Sequence, residues 1–287
     1  MLNIVFNSIH FYMNIFNRII TILLASLLLN ACSPKPYAAT NKIYKENVKK
    51  FSKIIQAQPI DSVKADSVKY PRDWAGTTNF GMRKPNFVIL HHTAQNSCEE
   101  TLKTFTLQRT QVSSHYIICK DGTLHHMLND YLRAWHAGSS KWGNLTDINS
   151  ASIGIEIDNN GKDTFSLAQI NTLLGLLGNL KKAHVIPSAN FIGHGDIAPG
   201  RKVDPNVTFP WRQLADSGYG LWYTDTTNII VPSEFNAAYA LRIIGYDVSR
   251  LNQAIEAFRR HFLQSNTQGE LLMPEKKILY NLMQRYL

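Results

Sequence analysis

Long apolar runs are nearly absent from this chain. The one that stands out, Ile19 to Leu29, is too brief to cross a bilayer comfortably as a mature helix, which takes about 20 residues. Acidic residues are in deficit, 21 against 30 Lys and Arg, for a net charge of +9. A basic surface suits an anionic polymer: nucleic acid, anionic lipid or a wall polymer bearing peptide carboxylates. No basic strip interleaved with aromatics, of the kind an RNA-binding sheet presents, is found. The His-Glu-x-x-His helix of one large class of zinc peptidases is also missing. At 287 residues and 44% hydrophobic, the chain has length for one sizeable core plus a small second domain, and is globular rather than disordered.

The apolar run is followed by Leu29-Asn30-Ala31-Cys32, which resembles a bacterial lipobox. On that reading residues 1–31 are a lipoprotein-type signal peptide, removed to leave Cys32 as the lipidated first residue, and Met13 is a second plausible start. An ordinary anchor helix with an incidental Cys is the duller reading. Cleavage would leave 29 basic and 21 acidic residues, a net charge of +8. Export argues against nucleic acid as a partner. Ser33 stands where Asp is associated with inner-membrane retention in some bacteria. By that resemblance the protein is expected in the bacterial cell envelope, lipid-anchored at the outer membrane and facing the periplasm. Residues 32–69, with Pro34, Pro36 and many Lys and Ser, read as a tether with a short helix near residues 43–55.

The chemistry concentrates between Phe191 and Trp211, where a His, two Asp, an Arg and a Lys sit among Gly and Pro residues. Phe191-Ile192 reads as part of a short strand with His194 at its end, and Asp204 returns after the turn at Pro199-Gly200. Imidazole and carboxylate are donors that Zn²⁺ accepts at about 2 Å. A third donor must come from elsewhere. Asn86 to Leu90 is an apolar strand pattern ending in His91 and His92; strand side chains alternate in direction, so only one of the two can enter the same site. In Ser152 to Asp158 the Ile residues share one face and Gly154, Glu156 and Asp158 the other, which presents Glu156 as a carboxylate on a rigid strand.

Five motifs then occur in one order: L-H-H-T-A at His91, S-H-Y-I-I with K-D-G-T from His115 to Thr123, A-W-H-A-G at His136, I-G-I-E-I at Glu156, and H-G-D-I-A-P-G-R-K-V-D-P from His194. Together, over roughly Tyr70 to Tyr223, they resemble the zinc-dependent N-acetylmuramoyl-L-alanine amidases of the type-2 amidase and peptidoglycan recognition protein superfamily, nearest the AmiD-type lipoprotein branch. The resemblance implies His91, His194 and Asp204 as Zn²⁺ ligands and Glu156 with Lys202 as the catalytic pair. Glu156 on a surface strand, or Lys202 as a partner of Asp196 or Asp204, are the blander alternatives. His136, beside Trp135 and Gly138, is a candidate substrate contact. The implied activity is hydrolysis of the amide between N-acetylmuramic acid, or its anhydro form, and the L-alanine of the stem peptide. Peptidoglycan or its fragments would be the partner. A non-catalytic peptidoglycan-recognition lipoprotein is the alternative. Asn206 stands where these proteins commonly have Gly, and Asn is expected to tolerate left-handed backbone there.

The expected fold is α/β, a mixed central sheet flanked by helices, with a small all-α C-terminal domain. A capping box at Ser166-Leu167-Ala168-Gln169 opens a long apolar helix. The division expected is a catalytic domain over 70–227 and a helical domain over 228–287, with helices at Ser233–Ile244, Ser249–Leu263 and Pro274–Tyr286. The middle stretch resembles a peptidoglycan-binding module; an extension packing on the catalytic domain is the other reading. For Cys98 and Cys119 two readings stay open, a disulfide or two separate small buried residues.

Overall fold

The computed structural model describes residues 36–57 and 76–287. The expectations for the signal peptide, for Cys32 and for much of the tether lie outside the described residues. The chain divides into two compact units, Met1–Thr78 and Asn79–Leu287. In the first, α1 spans Ala38–Gln56 and buries no residue. Among the described residues no helix is long and apolar enough to cross a membrane.

In the second unit β1 (Phe87–His92), β2 (Tyr116–Ile118), β3 (Leu124–His126), β4 (Ser152–Ile157) and β5 (Phe191–Gly193) form one sheet in the order β3-β2-β4-β1-β5. β4 and β5 flank β1 in parallel, β2 runs parallel to β4, and only the β2–β3 hairpin is antiparallel. This is the expected mixed sheet. Both faces of β1 and β4 are covered, since Val88, Ile89, Leu90, Ile153, Ile155 and Ile157 are all buried, and parallel strands buried on two faces read as near-continuous apolar runs.

Helix α2 (Cys98–Thr106) follows β1, and the single-turn α3 (Ile148–Ala151) leads into β4. The long α4 (Leu167–His184) starts at the expected capping box: the Gln169 amide donates to Ser166 Oγ (3.1 Å) and the Ser166 amide to Gln169 Oε1 (3.0 Å). Its Ile170, Leu173, Leu177 and Leu180 enter the core shared with the sheet. His194 does not continue into a loop but opens a one-turn helix, α5 (His194–Ile197). There the Gly193 amide donates to Asp196 Oδ2 at 2.7 Å, turning the chain at the strand end.

After α6 (Trp211–Asp216) come α7 (Ala237–Ile244), α8 (Leu251–Phe258) and α9 (Met273–Tyr286). Leu241, Ile244, Phe258, Phe262, Leu279 and Leu282 join Phe209, Trp211 and Leu214 in the same continuous apolar core. The middle segment passes from α8 into a π-helix at Arg259–Leu263. Arg259, 2% exposed, turns inward there to pair with Glu275 (2.8 and 2.9 Å) and to donate to the carbonyls of Gly269 and Glu270.

Cys98 and Cys119 form a disulfide, with Cα atoms 5.3 Å apart, joining the start of α2 to the end of β2. Closing a loop of 21 residues is worth about 3 kcal/mol. Replacing both cysteines by alanine should therefore lower unfolding free energy by about 3 kcal/mol in urea titrations, with the circular dichroism of the folded state unchanged.

Candidate metal centre and active site

Strand register builds the site. His91 of β1 lies level with Glu156 of β4, and Leu90 lies level with Gly193 of β5, the residue before His194. Three adjacent parallel strands thus deliver His91, Glu156 and His194 at their C-terminal ends, the usual position of a site in such sheets. Asp204 arrives from the following loop, where the Gly195 amide donates to the Asp204 carbonyl at 2.7 Å. Asp204-Pro205 is a cis peptide bond.

The donor atoms converge. His91 Nδ1 is 2.9 Å from His194 Nδ1 and 3.1 Å from Asp204 Oδ2, and His194 Nδ1 is 2.9 Å from the same oxygen. The ring hydrogens are directed elsewhere. His194 Nε2 faces the Ala137 carbonyl at 3.1 Å, and His91 Nε2 faces His136 Nδ1 at 3.1 Å. With hydrogens on both Nε2 atoms, two nitrogen lone pairs and a carboxylate point at one another in a buried space, an arrangement that repels unless a cation sits between them. Tetrahedral Zn²⁺ bonds of about 2.0–2.1 Å set donors about 3.3 Å apart, so the cluster fits the ion with a small outward adjustment.

Electrostatics agree. Burial, then the His194 charge, brings the His91 pKa down to about 4, leaving the ring neutral and able to coordinate at pH 7. Burial opposes ionisation of Asp204, but the proximity of the His194 and His91 rings outweighs it and holds the carboxyl well below its ordinary value. Glu156, only 8% exposed, is no surface strand residue; burial, then the Asp204 charge, pushes it up to about 8 against the pull of Lys202. Its Oε1 lies 3.9 Å from His91 Nδ1.

His92 points away from the cluster, as alternation requires, and its Nδ1 accepts the Asn206 amide at 3.1 Å. Asn206 does not use left-handed backbone. Instead its buried side chain donates to Asn159 Oδ1 (3.2 Å) and to the Asp163 carbonyl (3.3 Å), which gives Asn a packing reason for the position. The cleft over the cluster, about 340 Å³, is walled by Phe105, Trp135, Arg201 and Lys202 together with Glu156. Asp196 is no partner of Lys202. It lies behind the cluster, taking the Tyr246 hydroxyl (2.7 Å) on Oδ1 and His261 Nδ1 (2.7 Å) with the Gly193 amide on Oδ2.

His136 is 8% exposed, and both of its ring nitrogens face protein partners. With Nδ1 accepting from His91, Nε2 donates to Ser152 Oγ at 3.2 Å, and that hydroxyl donates to the Ile148 carbonyl at 2.6 Å. This polar chain fixes the His91 ring with Nδ1 toward the cluster. Gly154 makes room for it, because a Cβ there would meet His136 Cγ at 2.4 Å. Ser152, Tyr246 and His261 carry no motif signal as site residues, and Asp196 lies within the last motif without a role assigned by it; only the fold shows what they hold.

Two measurements follow from this geometry. Gly154→Ala, by displacing His136 and with it His91, should weaken divalent metal binding by about 10- to 100-fold in chelator competition. For Glu156, a folded pKa of about 8 against an ordinary 4.5 means that the metal-free folded state holds a proton which the unfolded state has lost. Stability of the metal-free protein should therefore fall as pH rises from 4.5 through about 8. Glu156→Gln should flatten that slope in melting curves recorded across the range.

Comparison with known proteins points to one family. A family profile described as N-acetylmuramoyl-L-alanine amidase matches residues 81–207. The N-acetylmuramoyl-L-alanine amidase AmiD of Escherichia coli (strain K12) is 31% identical over 230 residues, covering 69% of this chain and 82% of the relative. Among solved structures, AmiD from E. coli in complex with anhydro-N-acetylmuramic acid-L-Ala-D-gamma-Glu-L-Lys superposes with a TM-score of 0.63 at 29% identity, over 78% of this chain and 97% of that one. AmpDh3 from Pseudomonas aeruginosa, in complex with an anhydromuramic pentapeptide, gives 0.64 at 29% identity over 77% and 99%. With the sheet, the convergent donors and a relative matched over most of its length, the chain belongs to the N-acetylmuramoyl-L-alanine amidase family of hydrolases.

Proposed function

We propose that the protein hydrolyses the amide between the muramic acid lactyl group, in the anhydro or the intact sugar, and the L-alanine of the peptidoglycan stem peptide. The observation that carries this reading is a buried carboxyl, Glu156, one strand away from a cluster of two imidazoles and a carboxylate, all facing one cleft. His91, His194 and Asp204 would hold Zn²⁺, which suits this nitrogen and oxygen donor set and supplies Lewis acidity that makes water deprotonatable near neutral pH.

Glu156 accepts the proton of the attacking water on a carboxylate oxygen and delivers it to the departing L-alanine nitrogen. The Lys202 ammonium, in the same cleft, stabilises the oxyanion that develops on the lactyl carbonyl. The C–N bond breaks, the lactyl carbon gains the hydroxyl, and the peptide leaves with a free amino terminus. His136 lines the cleft, in keeping with a substrate contact, and through its Nδ1 it also holds the His91 ring as a positioning residue. Arg201 donates to the Ala137 carbonyl at 2.7 Å and closes one wall of the cleft.

The domain reading places the catalytic domain over 70–227 and a peptidoglycan-binding-like helical module over 228–287, here sharing the catalytic core. The sequence motif at Cys32 supports lipid attachment, and with it a place in the cell envelope at the outer membrane, facing the periplasm.

Incubating the chain from Ser33 onward with muropeptides, with and without a chelator, tests the activity by product mass. The expected product is an intact stem peptide with an L-alanine amino terminus, its release abolished by chelator. Glu156→Gln should lower kcat by about 10²- to 10⁴-fold and Lys202→Ala by about 10²- to 10³-fold, each with zinc still bound. Peptidoglycan binding without cleavage by the zinc-loaded chain would identify a recognition protein instead.

A further inference from the structure

Helix α1 has two opposed faces, and neither is buried. Tyr44, Val48, Phe51 and Ile55, spaced at i, i+4, i+7 and i+11, form one stripe, widened by Ile43 and Ile54. All six are exposed, Phe51 by 47% and Ile55 by 74%, and the helix buries no residue at all. Lys42, Lys45, Lys49 and Lys53 form the opposite stripe at i, i+3, i+7 and i+11, with Lys50 at its flank, and Glu46 is the one acid of the helix. In proteins most helical stability comes from packing of the apolar face rather than from propensity, and that face is open along all 19 residues of this helix. Something must therefore lie against that face when the helix is formed.

We propose that α1 lies flat on an anionic phospholipid surface. The aromatic and aliphatic stripe would enter the boundary between headgroups and acyl chains, and the five lysines would stay among the phosphates. Sharply segregated faces, a polar composition overall and lysines along the polar side are the properties of interfacial helices rather than of core or spanning ones. Each lysine near an anionic leaflet adds to the attraction. Six apolar side chains in one stripe favour lipid over a polysaccharide, which offers hydroxyls and amides to bind but little apolar depth. Position agrees, because the helix begins six residues after Cys32, and a lipid on that cysteine would bring α1 to the bilayer. The inference itself needs no lipid on Cys32 and no catalytic activity, since it rests on the two stripes alone.

The test uses the chain from Ser33 onward, which carries neither leader nor lipid and keeps the whole Asn79–Leu287 unit. It is floated with vesicles of phosphatidylethanolamine and phosphatidylglycerol, and separately with phosphatidylcholine alone. Flotation with the anionic vesicles, reduced by salt and about ten-fold or more lower for the Phe51→Asp, Ile55→Asp double variant, is the expected result. Cleavage of soluble muropeptides by that variant should be unchanged, which separates loss of membrane binding from loss of fold. Absence of flotation would overturn the proposal, as would flotation that the double variant leaves intact. Binding to isolated peptidoglycan through Phe51 and Ile55 in place of vesicles would overturn it equally.

Discussion

Two imidazole lone pairs and a carboxylate cannot be held within about 3 Å of each other without either a cation or a large cost in repulsion. That constraint orders the rest of the molecule. The parallel pairing of β4, β1 and β5 sets His91, Glu156 and His194 side by side. The turn of α5 and the loop to Asp204 close the third side. Behind His91 a single-file polar chain through His136 and Ser152 ends on a carbonyl, so the ring has one tautomer and one orientation before any ion arrives. Preorganisation of this kind is what gives a hydrolytic site its electrostatic advantage, because little reorganisation remains for the reaction itself.

The C-terminal helices take part in the same arrangement. Asp196 sits two residues past His194, and its two oxygens receive Tyr246 from the α7–α8 connection and His261 from the π-helix. His261 in turn stacks on Trp211 with ring centroids 3.9 Å apart. Arg259, buried beside it, is compensated by Glu275 and by carbonyls, and its burial is tolerable only because those partners are complete. A helical region that could be drawn as an appendage thus contributes polar contacts within one turn of a metal-ligand candidate.

Much of the candidate site was legible in the sequence because His91, Glu156 and His194 lie at or beside strand ends, where alternation and β-propensity leave a clear record, and Asp204 lies in the motif that follows. His91, His194, Asp204 and Glu156 could be selected from pattern and motif order, and the capping box at Ser166 marked the start of α4. What could not be read is what depends on contacts across the fold. The burial of Glu156 follows from the strands on either side of it, not from its own neighbours in sequence. Asn206 looked like a backbone choice and is a side-chain one, bonded to a loop more than forty residues away. His136 could be read only as a candidate substrate contact beside Trp135 and Gly138; that its ring also fills the space left by the missing side chain of Gly154 depends on the fold. The pairing of Cys98 with Cys119 could only be offered as one of two readings, since spacing alone does not fix connectivity.

That disulfide has a consequence for the cleft. Helix α2, which it ties to the sheet, carries Thr104 and Phe105 at the cleft rim. The metal-ligand candidates come from the ends of β1 and β5 and the loop beyond them, away from this tie, but the rim is fastened covalently at one end of one short helix. In an oxidising compartment that bond persists and the rim stays tied to the sheet; in a reducing one the tie is lost and the rim rests on the packing of Leu102 and Phe105 against Ile117. The redox state of the surroundings therefore bears on the fastening of the cleft rim, at a place apart from the donors of the metal-ligand candidates.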